Sequence, residues 1–347
     1  MQHLVLDRQW AVTGIDAEHQ ARLLQAKVLV VGAGGLGHPV LAYLATCGVH
    51  SITVLDPDRV NASNLHRQFY FGLPDVGCQK VDVLADKLNA AMGRAVVHGH
   101  AVCLTEENVE HWLNNHDVVL ECTDDLASKY RLSRACKQRN IPVIIGSADQ
   151  WQGQILAVPD ADAAGFDDFF PTANGTCEWG SCASNGVIGS VVGVTGSIMA
   201  NEAIKLLLGL PGVQRNRIII FDGLRGEFIY IRHSDINVNA NPFIESTFDL
   251  SSMKSISYAE MLKWREEGKN FQLIDVREQY EFDEFNIGGH LIPMNTVPDH
   301  IEAFSREIPV VVHCKAGSRS ANVIRFLEEN HGFDNLYNLE GGVLALR

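Results

Sequence analysis

The sequence has no uninterrupted apolar run of about 18 residues, the length that a membrane-spanning helix needs. Its N-terminal segment also lacks the basic start and apolar stretch of a secretory signal. Basic residues are scarce, because 28 Lys and Arg stand against 42 Asp and Glu and give a formal net charge of −14. Nucleic-acid binders neutralise phosphates with clustered Lys and Arg. We therefore expect a cytoplasmic protein with no membrane and no nucleic-acid partner.

The eight cysteines form no dense, short-spaced framework. A disulfide-stapled domain is therefore not expected, and a reducing cytosol would keep most of the thiols free. Four of them fall within predicted helices or strands, where a buried hydrophobic role is expected. These four are Cys47, Cys103, Cys122 and Cys136.

Apolar strands alternate with helical periodicity over most of the chain. The pattern predicts a doubly wound, mainly parallel α/β fold, related to the Rossmann fold, for the first domain. The predicted strands are 27–34, 51–56, 117–124, 141–147, 217–222 and 227–232. Helices are predicted over 79–92, 106–114 with Thr105 as cap, and 187–208. The intervening segment 159–186 is rich in Gly, Asp and Asn, and loops of this length are usually functional or mobile.

A polar, poorly periodic stretch at 233–255 predicts a linker between two domains. The first domain then covers residues 1–232 and a second, smaller α/β domain covers 256–347. A helix near 257–266, strands at 271–276 and 309–314, and a helix from about residue 319 are expected in the second domain.

Three glycines, Gly32, Gly34 and Gly37, follow the first predicted strand and open a helix. Glycine permits close backbone approach to a phosphate, and a helix N-terminus favours an anion. Asp56 ends the second strand, where a carboxylate can accept hydrogen bonds from ribose hydroxyls. Both features suit a dinucleotide-dependent dehydrogenase as well as an ATP site.

Arg67, Lys80 and Asp124 favour the ATP site. The two cations lie just beyond a strand end and at the start of a helix, and Asp124 ends a strand where it can hold magnesium. A triphosphate approached by a carboxylate nucleophile needs several cations, whereas hydride transfer does not. Alone, either cation is most simply a solvated surface charge. Their combination with Asp56 and Asp124 at strand ends favours the functional interpretation.

The segments GAGGLG, LDPDRVNASNLHRQ, GCQK and ECTDD resemble the ubiquitin-activating-enzyme-like adenylyltransferases, over roughly residues 5–232. That group includes bacterial enzymes that activate the sulfur carriers of molybdopterin synthase and thiamine synthesis. The resemblance implies that the carrier's terminal Gly-Gly carboxylate attacks the α-phosphate of ATP. It implies a nucleotide site formed by Gly35, Asp56, Ser63, Asn64, Leu65, His66, Arg67, Lys80, Asp124 and Asp125, with Mg²⁺ on Asp124. Relatives usually have Asn at the position of Asp125.

Arg8 matches an arginine that relatives insert into the partner subunit's site. The resemblance therefore implies a homodimer whose sites are completed in trans. The alternative for Arg8 is an exposed charge near the terminus.

The two Cys-x-x-Cys pairs that hold structural zinc in many relatives are missing. Tetrahedral zinc needs four thiolate or imidazole ligands, and Cys177 and Cys182 supply only two, so we expect no zinc. Cys182 matches a cysteine that some relatives use for a covalent intermediate. A thiol near a helix N-terminus has a lowered pKa, which suits a nucleophile, but an inert thiol is an equal alternative.

Cys314 directly follows the apolar run PVVVH and precedes a helix. Backbone amides and Arg319, five residues on, can surround its sulfur, and the helix dipole stabilises a thiolate or persulfide anion. Phosphatases with a cysteine nucleophile use a similar loop, normally with one more residue between Cys and Arg.

The wider context, LIDVREQYEFDEFNIGGHLIP and NLEGGVLAL, resembles rhodanese sulfurtransferases over about residues 255–347. The resemblance implies a persulfide on Cys314, supplied by a donor such as a cysteine desulfurase. Asp275 and Arg277 are expected to be structural.

Together the two halves predict adenylation of a small β-grasp, ubiquitin-like sulfur carrier, followed by sulfur transfer from Cys314 to give a thiocarboxylate. Two alternatives stay open: a nicotinamide-dependent oxidoreductase, and a non-catalytic scaffold that docks β-grasp proteins.

Overall fold

The computed structural model describes residues 6, 8–9, 11–171, 186–235, 253–315 and 317–343, with the backbone alone for Asn295 and Ser318. These residues belong to two compact units. The first contains the described residues up to Asp235, and the second those from Met253 onward.

An eight-stranded sheet of order β3-β2-β1-β4-β5-β6-β7-β8 forms the centre of the first unit. Its strands are β1 (Lys27–Val31), β2 (Ser51–Leu55), β3 (Val97–His100), β4 (Val118–Glu121), β5 (Val143–Asp149), β6 (Gln152–Val158), β7 (Arg217–Asp222) and β8 (Glu227–Arg232). The pairs from β3 to β5 are parallel, and those from β5 to β8 are antiparallel. Strand β1 is buried from Val28 to Val31, as its continuous apolar run requires. The predicted α/β fold class is confirmed.

Helices cover this sheet. They are α1 (Ala17–Leu23), α2 (Gly37–Thr46), α3 (Lys80–Met92), α4 (Val109–Leu113), α5 (Leu126–Arg139), α6 (Phe166–Phe169) and α7 (Gly189–Leu208). Helix α7 packs against α2, β5 and β6. A Cβ at Gly196 would lie 2.6 Å from the Leu36 carbonyl oxygen, so glycine permits this close packing.

By length and composition alone, α7 could cross a membrane. The most apolar part of the helix is 56% buried inside the protein, and the core helix of a globular domain passes the same test. The length and composition of α7 are therefore weak evidence that it crosses a membrane.

Several elements differ from the sequence prediction. Strands β3 and β6 were not predicted, because VHGH and QGQILAV show neither a long apolar run nor strict alternation. Helix α4 begins at Val109 rather than at residue 106. Thr105 is not its cap: the Thr105 amide donates to the Asn108 side chain in the turn before the helix, at 2.8 Å.

A five-stranded sheet of order β11-β10-β12-β13-β9 forms the second unit, and all its pairs are parallel. The strands are β9 (Ser255–Ile256), β10 (Gln272–Asp275), β11 (His290–Leu291), β12 (Val310–His313) and β13 (Leu336–Leu339). The helices include α8 (Tyr258–Glu266), α9 (Gln279–Glu284) and α10 (Ser318–His331). Ile274, Val312 and Leu327 are fully buried between them. The predicted smaller α/β domain is confirmed.

Both ends of the predicted linker 233–255 have regular structure. His233–Asp235 is a 3-10 turn, and Ser255 begins β9. Residues 236–252 lie outside the described residues.

Candidate functional site

The carboxyl ends of three neighbouring strands are level in the first sheet. Val31 at the end of β1 pairs with Leu55 of β2 on one side and Glu121 of β4 on the other. The glycine turn, Asp56 and the segment containing Asp124 each follow one of these ends. The strand order reverses between β1 and β4, which is where ligands bind in doubly wound sheets.

The turn after β1 has no room for a side chain at three glycines. A Cβ at Gly37 would collide with the backbone carbonyl of Gly32. Gly32 has φ +105°, and a Cβ there would lie 2.7 Å from the backbone carbon of Cys122. At Gly35 a Cβ would lie 2.7 Å from Cγ1 of Val192. The turn thus runs close to the end of β4 and leads into the N-terminus of α2, the arrangement that receives phosphates in related folds.

Asp56 is buried, with 8% of its surface exposed, and it ties the turn to β2. Its carboxylate accepts hydrogen bonds from the backbone amides of Ala33 at 2.7 Å and Asp58 at 2.8 Å. Burial raises the pKa of Asp56, while the nearby Lys80 and these amides oppose the rise. The predicted ribose contact stays a prediction.

Lys80 at the start of α3 is a buried cation, with 6% of its surface exposed. Its ammonium pairs with the Asp58 carboxylate at 2.7 Å. A buried lysine needs such a partner, because burial penalises an unpaired charge. Sequence reasoning did not assign Asp58 a role, although it stands only two residues after Asp56.

Arg67 lies against the glycine turn. A Cβ at Gly35 would lie 3.4 Å from Cγ of Arg67, so the two residues predicted to contact phosphate are neighbours. The guanidinium donates to Oδ1 of Asn64 at 2.9 Å and lies 2.7 Å from Nε2 of His66. It also reaches the Ser63 carbonyl at 3.4 Å.

Leu65, in the same segment, packs against the hydrophobic core. Its apolar side chain can make no polar contact with a phosphate.

The two aspartates after β4 differ in what they contact. The Asp124 side chain is exposed. Asp125 caps helix α5, accepting from the amides of Ala127 at 3.2 Å and Ser128 at 2.9 Å. Its carboxylate is therefore engaged in helix capping, a role that the nucleotide-site prediction did not include.

A buried ion pair that the sequence did not reveal supports this strand end. Glu121 and Lys129 are 0% and 3% exposed, and their side chains are in direct contact. Lys129 also donates to the carbonyl oxygens of Thr123 at 2.8 Å and Gly146 at 2.7 Å. Burial raises the pKa of Glu121, and Lys129 opposes that rise. The pair fixes the backbone just before Asp124.

Lys129→Met should destabilise the first unit by about 3–5 kcal/mol, because it leaves a buried carboxylate unpaired. Urea unfolding of the full chain measures the loss. The loss should shrink as the pH falls, since the raised pKa lets Glu121 take up a proton in the folded state. The double variant Glu121→Gln/Lys129→Met is the control and should recover much of the stability; equal losses in both variants would contradict this account.

The remaining predicted site residues of the first domain are Arg8, expected to act in the partner subunit's site, and Cys182, expected to be a nucleophile. Arg8 is exposed. Cys182 and Cys177 lie outside the described residues.

The cysteines within predicted elements behave as expected with one exception. Cys47, Cys122 and Cys136 are buried, whereas Cys103 is exposed, so its prediction as a buried residue was wrong. Burial raises the pKa of Cys47 to about 11 and that of Cys136 to about 12. Such thiols are inert at neutral pH.

Cys314 lies in the turn between β12 and α10 in the second unit and is fully buried. Its sulfur accepts a hydrogen bond from the Gly317 amide at 3.1 Å and lies 3.5 Å from the Ser320 hydroxyl. Gly317 has φ +96°, a conformation that favours glycine. One backbone amide therefore donates to the sulfur, whereas the Ser320 hydroxyl has a nearer acceptor, Oδ1 of Asn338 at 2.7 Å. The persulfide role of Cys314 stays a prediction.

Arg319, predicted to complete this cradle, pairs with Glu281 of α9. Its two terminal nitrogens reach the two carboxylate oxygens at 2.6 and 2.7 Å. This carboxylate was not identified from the sequence.

Asp275 and Arg277 form a buried, multiply hydrogen-bonded pair. Nδ1 of the buried His313 lies 3.9 Å from the Asp275 carboxylate, and burial lowers the pKa of His313 to about 4. Asp275 and Arg277 thus have the buried, paired arrangement of a structural site, whereas neither ring nitrogen of His313 has a hydrogen-bond partner among the residues that the structure describes.

Metal ligands are sparse in the described part of the chain, where no group of three or more His, Cys, Asp or Glu side chains is arranged to hold a metal ion. The expected lack of zinc stays a prediction, because Cys177 and Cys182 are not among these residues.

The first unit has a doubly wound sheet, a glycine turn where the strand order reverses, and a buried lysine beyond it. These features are typical of nucleotide-binding α/β proteins. The chain also contains a second unit, in which Cys314 lies in a turn between a strand and a helix. The chain belongs to the ThiF family, which matches residues 6–241, and residues 257–347 match the rhodanese-like domain.

Relatives with both activities in their names match most of the chain. The Mycobacterium tuberculosis protein named "Probable adenylyltransferase/sulfurtransferase MoeZ" is 30% identical over 357 residues, covering 97% of this chain and 91% of MoeZ. The adenylyltransferase and sulfurtransferase MOCS3 of Anopheles gambiae is 30% identical and covers 92% of this chain and 80% of MOCS3. These matches confirm the predicted fusion and enzyme class, and the family implies the use of ATP.

Solved structures agree on the fold. E. coli MccB with MccA-N7isoASN has a TM-score of 0.56 and 20% identity, covering 62% of this chain and 66% of that one. MccB with ATP has a TM-score of 0.55 and 19% identity, with the same coverage. The chain thus spans just under two thirds of these MccB chains, and identities this low show the fold alone.

Proposed function

We propose that the chain uses ATP to adenylate the C-terminal Gly-Gly carboxylate of a small β-grasp, ubiquitin-like sulfur carrier, and then replaces the adenylate with sulfur from a Cys314 persulfide. The enzyme would act as a cytoplasmic homodimer. A donor such as a cysteine desulfurase would load Cys314.

One observation carries the adenylation half of the proposal. The glycine turn, Asp56 and the segment leading to Asp124 follow three level strand ends. Arg67 lies against the same turn, and the buried Lys80 is close enough to influence the Asp56 carboxylate. A hydride-transfer site has no use for these two cations.

In the first step, a carboxylate oxygen of the carrier would bond to the α-phosphorus of ATP, and pyrophosphate would leave. Arg67 and Lys80 would hold the phosphates and offset the charge that builds up between two anions. Asp56 would bind the ribose. The backbone of the glycine turn would approach the phosphates where a side chain at Gly35 would collide with Val192.

Magnesium fits this site through Asp124. Mg²⁺ is usually bound by one or two protein carboxylates together with substrate phosphates, and the Asp124 side chain is exposed and available. The ion would neutralise phosphate charge.

In the second step, the outer sulfur of the Cys314 persulfide would attack the activated carbonyl carbon, and AMP would leave. The product is an acyl disulfide between carrier and Cys314. A second thiol, proposed to be Cys182, would break its S–S bond, release the thiocarboxylate and remain in a disulfide with Cys314. An external thiol would then reduce that disulfide. Fusion of the two units raises the effective concentration of the sulfur donor.

Arg8→Ala should lower carrier-dependent ATP–pyrophosphate exchange by about 10²–10³-fold, because the partner subunit's site would lose a cation that stabilises the transition state. Size-exclusion chromatography should still show a dimer. Arg139→Ala, which removes a surface guanidinium paired with Glu110, is the control and should exchange normally. Normal exchange by Arg8→Ala would refute the trans role.

The proposal is tested with a panel of small proteins ending in Gly-Gly. Carrier-dependent ATP–pyrophosphate exchange, followed by mass analysis for replacement of a carboxylate oxygen by sulfur, is the expected result. Binding of a carrier without exchange would favour the docking scaffold. Dinucleotide binding without exchange would favour the oxidoreductase.

A further inference from the structure

A histidine is buried in the helix that follows the glycine turn. His38 is the second residue of α2, and none of its surface is exposed. Its Nδ1 accepts a hydrogen bond from the backbone amide of Tyr70 at 3.1 Å. In the neutral ring the proton is therefore on Nε2, which is buried and has no hydrogen-bond partner among the described residues. The Tyr70 amide is thus the polar group that this side chain binds.

Three aromatic side chains next to Arg67 in the sequence surround the imidazole of His38. Between ring centroids, the distances are 4.6 Å to Phe71, 5.3 Å to Phe69 and 5.6 Å to Tyr70. Burial, aided by the nearby charges of Lys80 and Lys87, lowers the pKa of His38 to about 3. The ring is therefore neutral at physiological pH, and Nδ1 is available as an acceptor.

The Tyr70 amide lies at one end of the segment that contains Arg67. At the other end, a Cβ at Gly189 of α7 would lie 2.5 Å from the His66 carbonyl oxygen, so the two backbones are in close contact. Arg67 lies between these two contacts, and its Cγ is beside Gly35 of the turn. A shift of the backbone at Tyr70 would therefore move the Arg67 guanidinium relative to the glycine turn.

The Tyr70 carbonyl is held less firmly than its amide. Nζ of Lys87 donates to this carbonyl at 2.7 Å, but the Lys87 side chain is 41% exposed. Water can replace such an exposed donor at little cost, whereas a donor that loses a buried acceptor stays unsatisfied. Of these two contacts to Tyr70, the one from His38 is the one that solvent cannot replace.

We propose that His38 is a positioning residue for the phosphate site at the glycine turn. Its Nδ1 holds the Tyr70 amide and thereby keeps the Arg67 guanidinium against the turn. His38 acts through Arg67 and not by contact with the nucleotide. The inference rests on the proposed adenylation at this site and adds a residue to it that the sequence did not single out.

Two substitutions separate the acceptor of His38 from its ring. His38→Phe keeps an aromatic ring but has no acceptor, whereas His38→Asn loses the ring and keeps a side-chain oxygen that can accept from the Tyr70 amide. In the full chain, His38→Phe should lower kcat/KM for carrier-dependent ATP–pyrophosphate exchange by about tenfold or more, because a small displacement of a binding group is costly. His38→Asn should retain most of the exchange, even where thermal unfolding shows it to be less stable.

His38→Leu also lacks an acceptor and takes the place of His38→Phe if the larger ring prevents folding. Lys87→Met is the matched control for the second contact to Tyr70, and its exchange should be nearly unchanged. Equal losses in His38→Phe and His38→Asn would overturn the proposal, because the ring and not the acceptor would then matter.

A double-mutant cycle with Arg67→Gln tests whether His38 acts through Arg67. The measurement is the affinity for a nonhydrolysable ATP analogue with Mg²⁺, by calorimetry, so it does not need turnover. His38→Phe should weaken binding in the unmodified chain but by less than about twofold in Arg67→Gln, where the positioned group is already absent. A purely structural role would weaken binding by the same factor in both backgrounds.

The proposal is overturned if His38→Phe binds the analogue and exchanges pyrophosphate normally, or if its effect is the same with and without Arg67. An unmodified chain that binds the analogue but supports no carrier-dependent exchange would contradict the proposed function alone. The two failures are therefore distinguishable.

Discussion

Cys314→Ser should abolish thiocarboxylate formation while leaving carrier-dependent ATP–pyrophosphate exchange intact. Serine can occupy the cradle of the Gly317 amide, but its hydroxyl cannot carry a transferable sulfur atom. Adenylation uses groups of the first sheet, so the carrier should accumulate as the adenylate. Mass analysis of the carrier, with exchange measured on the same sample, gives both results.

Cys103→Ser is the matched control, because it removes an exposed thiol from the first unit. It should form thiocarboxylate at the normal rate. If Cys314→Ser still produced thiocarboxylate with the same sulfur donor, the second unit would not be the source of the sulfur. If it lost pyrophosphate exchange as well, the two steps would not be separable as proposed.

Lys80→Met should lower ATP–pyrophosphate exchange by about 10²–10³-fold, the usual cost of removing one positioned charge from a transition state. Methionine keeps the length and apolar stem of a side chain that is 6% exposed, so the main loss is the ammonium. Lys87→Met on the same helix is the control. That lysine is more exposed and pairs with Asp75, so exchange should be nearly unchanged.

The Asp58 carboxylate complicates this variant, because Lys80→Met leaves it without its 2.7 Å partner. The double variant Asp58→Asn/Lys80→Met removes that unpaired charge. It should fold as stably as the unmodified chain and still exchange pyrophosphate poorly. Recovery of exchange in the double variant would show that the lost activity came from the unpaired aspartate.

The sequence predicted those parts of the architecture in which one local signal, such as an apolar run or a glycine turn, dominates. The run KVLVV has to be a buried parallel strand, and the glycines after it allow only a turn with close backbone approach. The apolar strand before Cys314 and the helix after it likewise predict the cradle. In each case, residues that are neighbours along the chain are sufficient to predict the local structure.

Features that depend on long-range contacts could not be predicted in the same way. In the sequence, Lys129 is one more charge on an amphipathic helix, and only the fold shows that it contacts Glu121, the last residue of an apolar strand. Glu281 and Arg319 are 38 residues apart and meet only because β10 and β12 are adjacent. The ECTDD motif implied that Asp125 belongs to the nucleotide site, but its helix-capping role depends on where α5 begins.

The central claim is that Arg67, Lys80 and a metal ion on Asp124 converge on a polyphosphate at the glycine turn. A crystal structure of the chain with a nonhydrolysable ATP analogue and Mg²⁺ tests it most directly. The phosphates should lie over the turn at Gly35 and contact the Arg67 guanidinium and the Lys80 ammonium, with the metal ion bound to Asp124. Phosphates bound elsewhere, with Lys80 still held by Asp58 and Asp124 facing solvent, would contradict the account.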